Sequence, residues 1–466
     1  MKMRMPLKII WRRARIARGE AAPALAVVLA TVTALAAGPA AAQIPVPPGA
    51  AGPTPANALA GATVPAPATP SAAPPPSAPP AIVPAPGPVV DLPPERDMPA
   101  TALPRETPIE TPLGGAPPLT GTAVGGYGEL TLNAPSNGPA IVDLRRFVLF
   151  VGHNFTDRIH FYSEIEIEHA VSSTDDAGEV EIEQAYIDEL VSHNVNLRAG
   201  LNLMPVGIIN IYHEPPTFNG VDRPLVDTLI IPSTWREPGF GIFGELATGL
   251  AYQLFLVNGF NANGFTAETA VADGHQEAMF AAARDFGAVG RLTYEPMLAT
   301  IFGASGYYAT SGNSLRSTVG SVPVGLIEVD ARTRTRGFSA RGELAALFIG
   351  DTAALNTALE ANGTTSLPVA KRSQGGYLEA GYDLMRLFAP EIDQSVTLFA
   401  RYDYANTQAS VVAGRMADQA LVRHILTAGL VYRPIPQIAL KGDYMRHWFG
   451  AGPGYNEFAA ALAWMF

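Results

Sequence analysis

From Gly125 onward, apolar and polar side chains alternate in segments of about nine to thirteen residues, separated by Gly, Asn, Asp and Pro. Alternation with period two is the mark of β-strands whose two faces meet different surroundings. In "RIHFYSEIEIEHA", Ile159, Phe161, Ile165 and Ile167 fall on one face, while His160, Tyr162, Glu164, Glu166 and Glu168 fall on the other. "SVTLFARYDY" sets Val396, Leu398, Ala400, Tyr402 and Tyr404 against Thr397, Arg401 and Asp403. After residue 40 no run approaches the roughly 18 apolar residues that a membrane-spanning helix requires. Charged residues are nevertheless only 16% of the chain and mean hydropathy is +0.14, where a soluble protein carries about 25% charged residues. A soluble β-sandwich would use shorter strands, near 5–6 residues. Long strands with one apolar row fit a sheet that closes on itself in a bilayer, with lipid outside and water inside.

Segments of this kind start near residues 124, 141, 158, 179, 194, 239, 249, 284, 297, 323, 336, 374, 394, 421, 436 and 456. The expectation is an all-β, transmembrane antiparallel β-barrel of about sixteen strands over residues 121–466. The connections carry a second signal. Every even-numbered link is short, as in "NFTD", "AT" and "RPIP", whereas the links at 205–238, 259–283 and 349–373 are long. Outer-membrane barrels keep tight turns on the periplasmic side and long loops outside.

Lys2, Arg4, Lys8, Arg12, Arg13, Arg15 and Arg18 precede the apolar run "APALAVVLATVTALAAG" and a small-residue site at Ala40–Ala42. This is the pattern of a signal peptide, residues 1–42. Residues 43–120 are rich in Pro, Ala and Thr, and proline propagates neither helix nor ladder. They read as an extended, disordered periplasmic linker with polyproline II character. Cysteine is absent and the net charge is −11. Thiol chemistry is therefore excluded, and nucleic acid is not an expected partner, since neutralising phosphates needs basic surface.

The chain closes on "EFAAALAWMF", in which Phe458, Leu462, Trp464 and Phe466 share one parity. This row resembles the C-terminal signal read by the outer-membrane assembly machinery. A longer resemblance runs through "VDLRRFVLFVGHNFTDRIHFYSEIEIEHA", "VEIEQAYIDELVSHNVNLRAGLNLMPVG" and "HEPPTFNGVDRPLVDTLIIPSTWREPGFGIFGEL". These segments resemble the phosphate-selective porin O/P family and its broader porin relatives. The resemblance implies a sixteen-stranded channel, usually a homotrimer, with a long third extracellular loop folded into the lumen. The apolar "RPLVDTLIIPSTW" within 205–238 suits such an inward course.

Inward parity makes Arg145, Arg198, Arg341, Arg401 and Lys441 candidate pore-lining residues, together with Glu164, Glu166, Glu168, Glu343 and Asp403. Such a mixed-sign lumen, nearly free of lysine, departs from the basic lumen that anion selectivity demands. The row Glu164, Glu166, Glu168 leans instead toward cations. Glu214, Arg223, Asp227 and Arg236 fall in the expected inward loop as a constriction set. Asp175, Asp176 and Glu179 cluster without the fixed spacing of a calcium loop and read as solvated. No G-x-S-x-G elbow occurs and the histidines are scattered, so neither an enzyme, a metal nor a cofactor is expected. The resulting expectation is a Gram-negative outer-membrane porin passing small hydrophilic solutes or ions. The alternative is a structural, loop-plugged barrel tethered to the cell wall through its proline-rich segment.

Overall fold

The structure, a computed structural model, describes residues 121–173, 176–363 and 367–466. The expected signal peptide (1–42), the linker (43–120) and Asp175 lie outside the described residues. The first eight strands are β1 Gly121–Pro135, β2 Ile141–Asn154, β3 Ile159–Glu168, β4 Val180–Glu189, β5 Asn196–Leu203, β6 Arg236–Ala247, β7 Leu250–Asn258 and β8 Phe286–Met297. The second eight are β9 Thr300–Thr310, β10 Pro323–Thr335, β11 Phe338–Ile349, β12 Arg372–Asp383, β13 Ser395–Ser410, β14 Val422–Ile435, β15 Ile438–Phe449 and β16 Tyr455–Met465. Each pairs antiparallel with its neighbours in sequence. Strand β1 also pairs with β16, from Tyr127 opposite Met465 to Pro135 opposite Glu457. Among the described residues the sheet is therefore a closed barrel with no unpaired edge. Closure matters because a bare N–H or C=O in hydrocarbon has no water to bond.

Every strand expected from the alternation is present, and the parity of the links holds. Leu254, Leu256, Leu292, Leu398, Leu426, Leu430, Leu440 and Leu462 all stand exposed on the outer face. An apolar surface this extensive is far beyond what a soluble monomer presents to water. Toward the rim with the long loops, Tyr402, His424 and Trp448 stack on the outside, with His424 and Trp448 ring centres 5.3 Å apart. Aromatic girdles of outer-membrane barrels occupy this position.

Of the sheet's register shifts, two lie beside the β5–β6 link and modify the inner face there. The register slips at Arg145, so that Glu129 pairs with Arg146 and Leu130 with Leu144. An extra residue of this kind lets two consecutive side chains share one face. Arg145 and Arg146 both reach carboxylates inside the barrel. A second slip, at Glu183, leaves Gln184 opposite Glu164 and Ile182 opposite Ile165.

The interior is not uniformly wet, contrary to simple alternation. Across β7 to β12 the inward side chains include Phe255, Val257, Tyr307, Val324, Leu326 and Leu347, and these are buried. Met204, Val206, Ile230, Ile231 and Trp235 from the β5–β6 link pack on them, as do Phe260 and Phe265 from the β7–β8 link. Helix Thr352–Ala361 adds Leu355 and Leu359. Each large side chain buried there contributes about 1.5–3 kcal/mol. Long links folded inward thus give one half of the lumen a dry core and leave the polar wall of β1–β4 and β12–β15 to the other half.

Candidate functional site

Residues 204–235, between β5 and β6, turn back into the barrel. Asn210 fastens the two ends of this loop: its side chain donates to Met204 O (2.8 Å) and Trp235 O (3.0 Å), and accepts from Trp235 N (2.6 Å). Along the rest of its course the loop backbone is held by charged side chains of the wall. Ile208 N donates to Glu343 on β11 (3.0 Å), Val221 N to Asp443 on β15 (2.6 Å) and Leu225 N to Asp403 on β13 (3.1 Å). Lys441 Nζ donates to Gly220 O (2.8 Å) and lies 3.9 Å from the Phe218 ring centre. Arg433 donates to Pro216 O (3.2 Å). A loop threaded through a lumen has no ladder partner, so its peptide groups need these side chains.

Charged side chains also link wall to loop directly. Asp222 accepts from Arg145 on β2 (2.9 Å) and Asn133 on β1 (3.2 Å), and its carbonyl from Arg401 on β13 (3.1 Å). Beside the loop lies a cavity of about 300 Å³, lined by Glu129, Arg145, Arg146, Asp222, Arg223, Arg401 and His447 among other residues. Four arginines and two carboxylates therefore line this cavity. Arg146 is bound to Glu129 (3.2 Å) and Glu166 (3.5 Å), and Arg401 to Asp403 (2.8 Å). Arg223 differs from these. Its Nη1 donates to the hydroxyls of Ser233 and Thr234, and its Nη2 has no hydrogen-bond partner among the described residues.

The candidate residues consequently divide into groups. Arg145, Arg223 and Arg401 border the cavity. Lys441, Glu343 and Asp403 face inward but are engaged with the loop backbone. Arg198 is paired with Asp188 (2.7 Å) and lies over the Tyr186 ring, and Arg341 is paired with Glu379 (3.0 Å). Glu164 and Glu166 have the inward parity expected, yet the loop covers them and they are 2% and 1% exposed. The acidic row that leaned toward cations is thus largely removed from the water of the lumen; Glu168 beside it is half-buried. Arg236 is not in the loop: it is the first residue of β6, paired with Glu181 and Glu277. The strand begins earlier than expected because Arg236 and Glu237 extend the ladder to Leu203 and Asn202.

Electrostatics within the loop follow from its burial. Burial pushes the Asp227 carboxyl up to about 7, against the opposing pull of Arg341 and Arg223. Glu214 is likewise raised, mainly by burial. For His213 burial opposes the charged ring, but Glu183, Glu164 and Glu214 outweigh it and raise its pKa. Arg146 and Glu183 are site residues that strand parity alone did not single out, and His213 lies in the loop, where parity does not apply. The doublet "RR" and the run "VEIEQ" carried the only hint, since each places like residues where strict alternation forbids it.

No family model matches the chain. An uncharacterized protein of Aquifex aeolicus (strain VF5) is 34% identical over 354 residues, which span 74% of this chain and 80% of that protein. The chain belongs to the family of that Aquifex protein. Among solved structures, OmpF of Salmonella typhi, in complex with daunomycin, superposes with a TM-score of 0.51 at 12% identity. The match covers 75% of this chain and 98% of OmpF. The outer membrane channel DcaP of Acinetobacter baumannii gives a TM-score of 0.48 at 12% identity, over 74% of this chain and 97% of DcaP. At such identities the likeness is one of fold. The family to which this chain and its Aquifex relative belong has, in this member, the closed barrel architecture of outer-membrane porins.

Proposed function

We propose that the protein is a passive diffusion channel of a Gram-negative outer membrane, which lets small hydrophilic solutes or ions pass beside the 204–235 loop with a preference for anions. The reading rests on the cavity beside the loop, taken as the passage, where three arginines are paired with carboxylates while Arg223 is held by hydroxyls and keeps its positive field. A narrow polar gap with low-dielectric walls strengthens such a field and raises the local concentration of counter-ions. The barrel supplies the route across the membrane, and the loop sets its width. Phosphate, suggested by the sequence resemblance, is one anion of suitable size and charge.

Other roles are read from the sequence. Residues 1–42 direct export, and residues 43–120 form a periplasmic linker. Phe458, Leu462, Trp464 and Phe466 present the strand to the assembly machinery, and the barrels associate as a homotrimer. Planar-bilayer recording of purified protein tests the central claim. Steps of uniform size, with a reversal potential in a salt gradient of the sign set by anions, are the expected result. A silent bilayer would instead favour the structural, loop-plugged barrel, and a cation-signed potential would remove the role given to the arginines.

A further inference from the structure

Away from that cavity, three buried side chains converge where the loop crosses β3 and β4. Glu164, Glu183 and His213 are 2%, 0% and 2% exposed, and one donor atom from each lies within 4.8 Å of the others. His213 Nε2 is 3.6 Å from Glu183 Oε2 and 3.9 Å from Glu164 Oε2, too far for hydrogen bonds. Glu164 Oε2, Glu183 Oε1 and His213 Nε2 have no hydrogen-bond partner among the described residues. Carboxylates buried with unmet oxygens are costly unless a cation completes them. The neighbouring arginine, Arg146, is already shared between Glu129 and Glu166.

We propose that Glu164, Glu183 and His213 bind one divalent first-row transition-metal ion, with Zn²⁺ the best suited, and that this ion clamps the loop to the barrel wall. The donor set is one imidazole nitrogen and two carboxylate oxygens, which suits Zn²⁺ and disfavours the harder Mg²⁺ and Ca²⁺. An ion about 2.1 Å from three tetrahedrally placed donors holds them about 3.4 Å apart. Two of the observed separations, 3.6 and 3.9 Å, exceed that by only a few tenths of an ångström. Two carboxylates and a divalent ion also sum to zero charge, which suits a dry site.

The surroundings orient the donors. His213 Nδ1 lies 3.3 Å from Asn210 O, and a proton donated there leaves the Nε2 lone pair facing the two glutamates. Tyr127 donates its hydroxyl to Glu183 Oε2 (2.9 Å), and its ring meets the His213 ring edge-on at 5.8 Å. Asn210 is the residue that also fastens the ends of the loop. The bulge on β4 is what makes the site possible, because it turns Glu183 inward beside Gln184.

The test uses the whole barrel, folded in detergent and stripped with a chelator. Addition of Zn²⁺ followed by dialysis should leave close to one equivalent bound by elemental analysis. Co²⁺ should give visible absorption bands that Zn²⁺ abolishes. Glu183→Gln and His213→Gln should lose both signals, and Tyr127→Phe should weaken binding roughly 10–100-fold, as loss of an outer-shell partner does. The wild-type titration decides the matter even where a variant fails to fold. A folded wild-type barrel that retains no stoichiometric metal, or binding that survives in both Gln variants, overturns the proposal and leaves a protonated His213 as the cation between the glutamates.

Discussion

Phe466 and Gly126 exchange two backbone hydrogen bonds, of 2.8 and 3.0 Å, and the Phe466 ring reaches to within 2.9 Å of where a Cβ at position 126 would stand. Two residues along, the Trp464 ring lies 2.6 Å from the corresponding point at Gly128. The seam between β1 and β16 is therefore built from bare backbone on one strand and large rings on the other. The rings lie across the glycines and cover the ladder from outside.

Alanine at position 126 should weaken this seam more than alanine at 128. The added methyl at 126 meets the Val148 carbonyl at 2.3 Å, a backbone atom, whereas at 128 the nearest obstacle is the movable Trp464 ring. Overpacking costs about 1–3 kcal/mol, and Gly126→Ala should reach the upper end. Urea unfolding in lipid vesicles, followed by tryptophan fluorescence, measures both. Equal stability of the two variants would contradict this account of the seam.

Leu426 stands on the outer face of β14 and is half exposed. Leu426 pairs with Tyr402 of the aromatic girdle, whereas Leu430, four residues along the same face and opposite Leu398, lies near mid-strand. If their surroundings are acyl chains, Leu430→Arg should cost about 2–4 kcal/mol and Leu426→Arg less, since the cost falls from the bilayer midplane toward the interface. The same vesicle unfolding experiment reads the difference. A neutral effect would mean that this face meets water.

The alternation made the strands legible because each face keeps one solvent along its whole length. Link lengths separated a rim of short turns from a rim of long links. The site was legible only in part. Parity put Glu164, Arg401 and Lys441 on the inner wall, but nothing local reveals that the loop covers the first, lies across the second and hydrogen-bonds the third. Such partners are remote in the chain: Lys441 and Gly220 are 221 residues apart. Bulges were the other loss. One inserted residue at Arg145 or Glu183 reverses the parity that assigns side chains to faces.

Charge at the passage should respond to Arg223 more than to its neighbours, since Arg145, Arg146 and Arg401 are offset by carboxylates. Arg223→Glu should move the reversal potential in a salt gradient toward the cation side. Arg198→Gln, remote from the passage and paired with Asp188, should leave the potential unchanged. A shift in Arg198→Gln about half that of Arg223→Glu, in proportion to the one and two units of charge removed, would show that net charge, not position, sets the preference.

Docking of the loop should loosen as pH rises through about 7, the value to which burial pushes Asp227. Asp227 lies with Arg223 in the loop, faces Arg341 and Glu343 on β11, and is near Arg401 and Asp403 on β13. Its proton is held more tightly in the docked loop than in water, so docking is favoured below that pH. The advantage declines from the ordinary aspartate range upward and is gone once the docked carboxyl ionises. Single-channel records should be quiet at pH 5 and noisier at pH 8, with the difference abolished in Asp227→Asn. The same pH response in that variant would assign the effect to another group.

The loop's anchors come from strands on opposite sides of the barrel: Arg145 on β2, Glu343 on β11, Asp403 on β13 and Asp443 on β15. A hoop braced in this way resists being squeezed into an ellipse. In the channel proposed above, lateral tension in the membrane would have to stretch several spokes at once before the aperture changed shape, which would insulate its width from the mechanical state of the envelope.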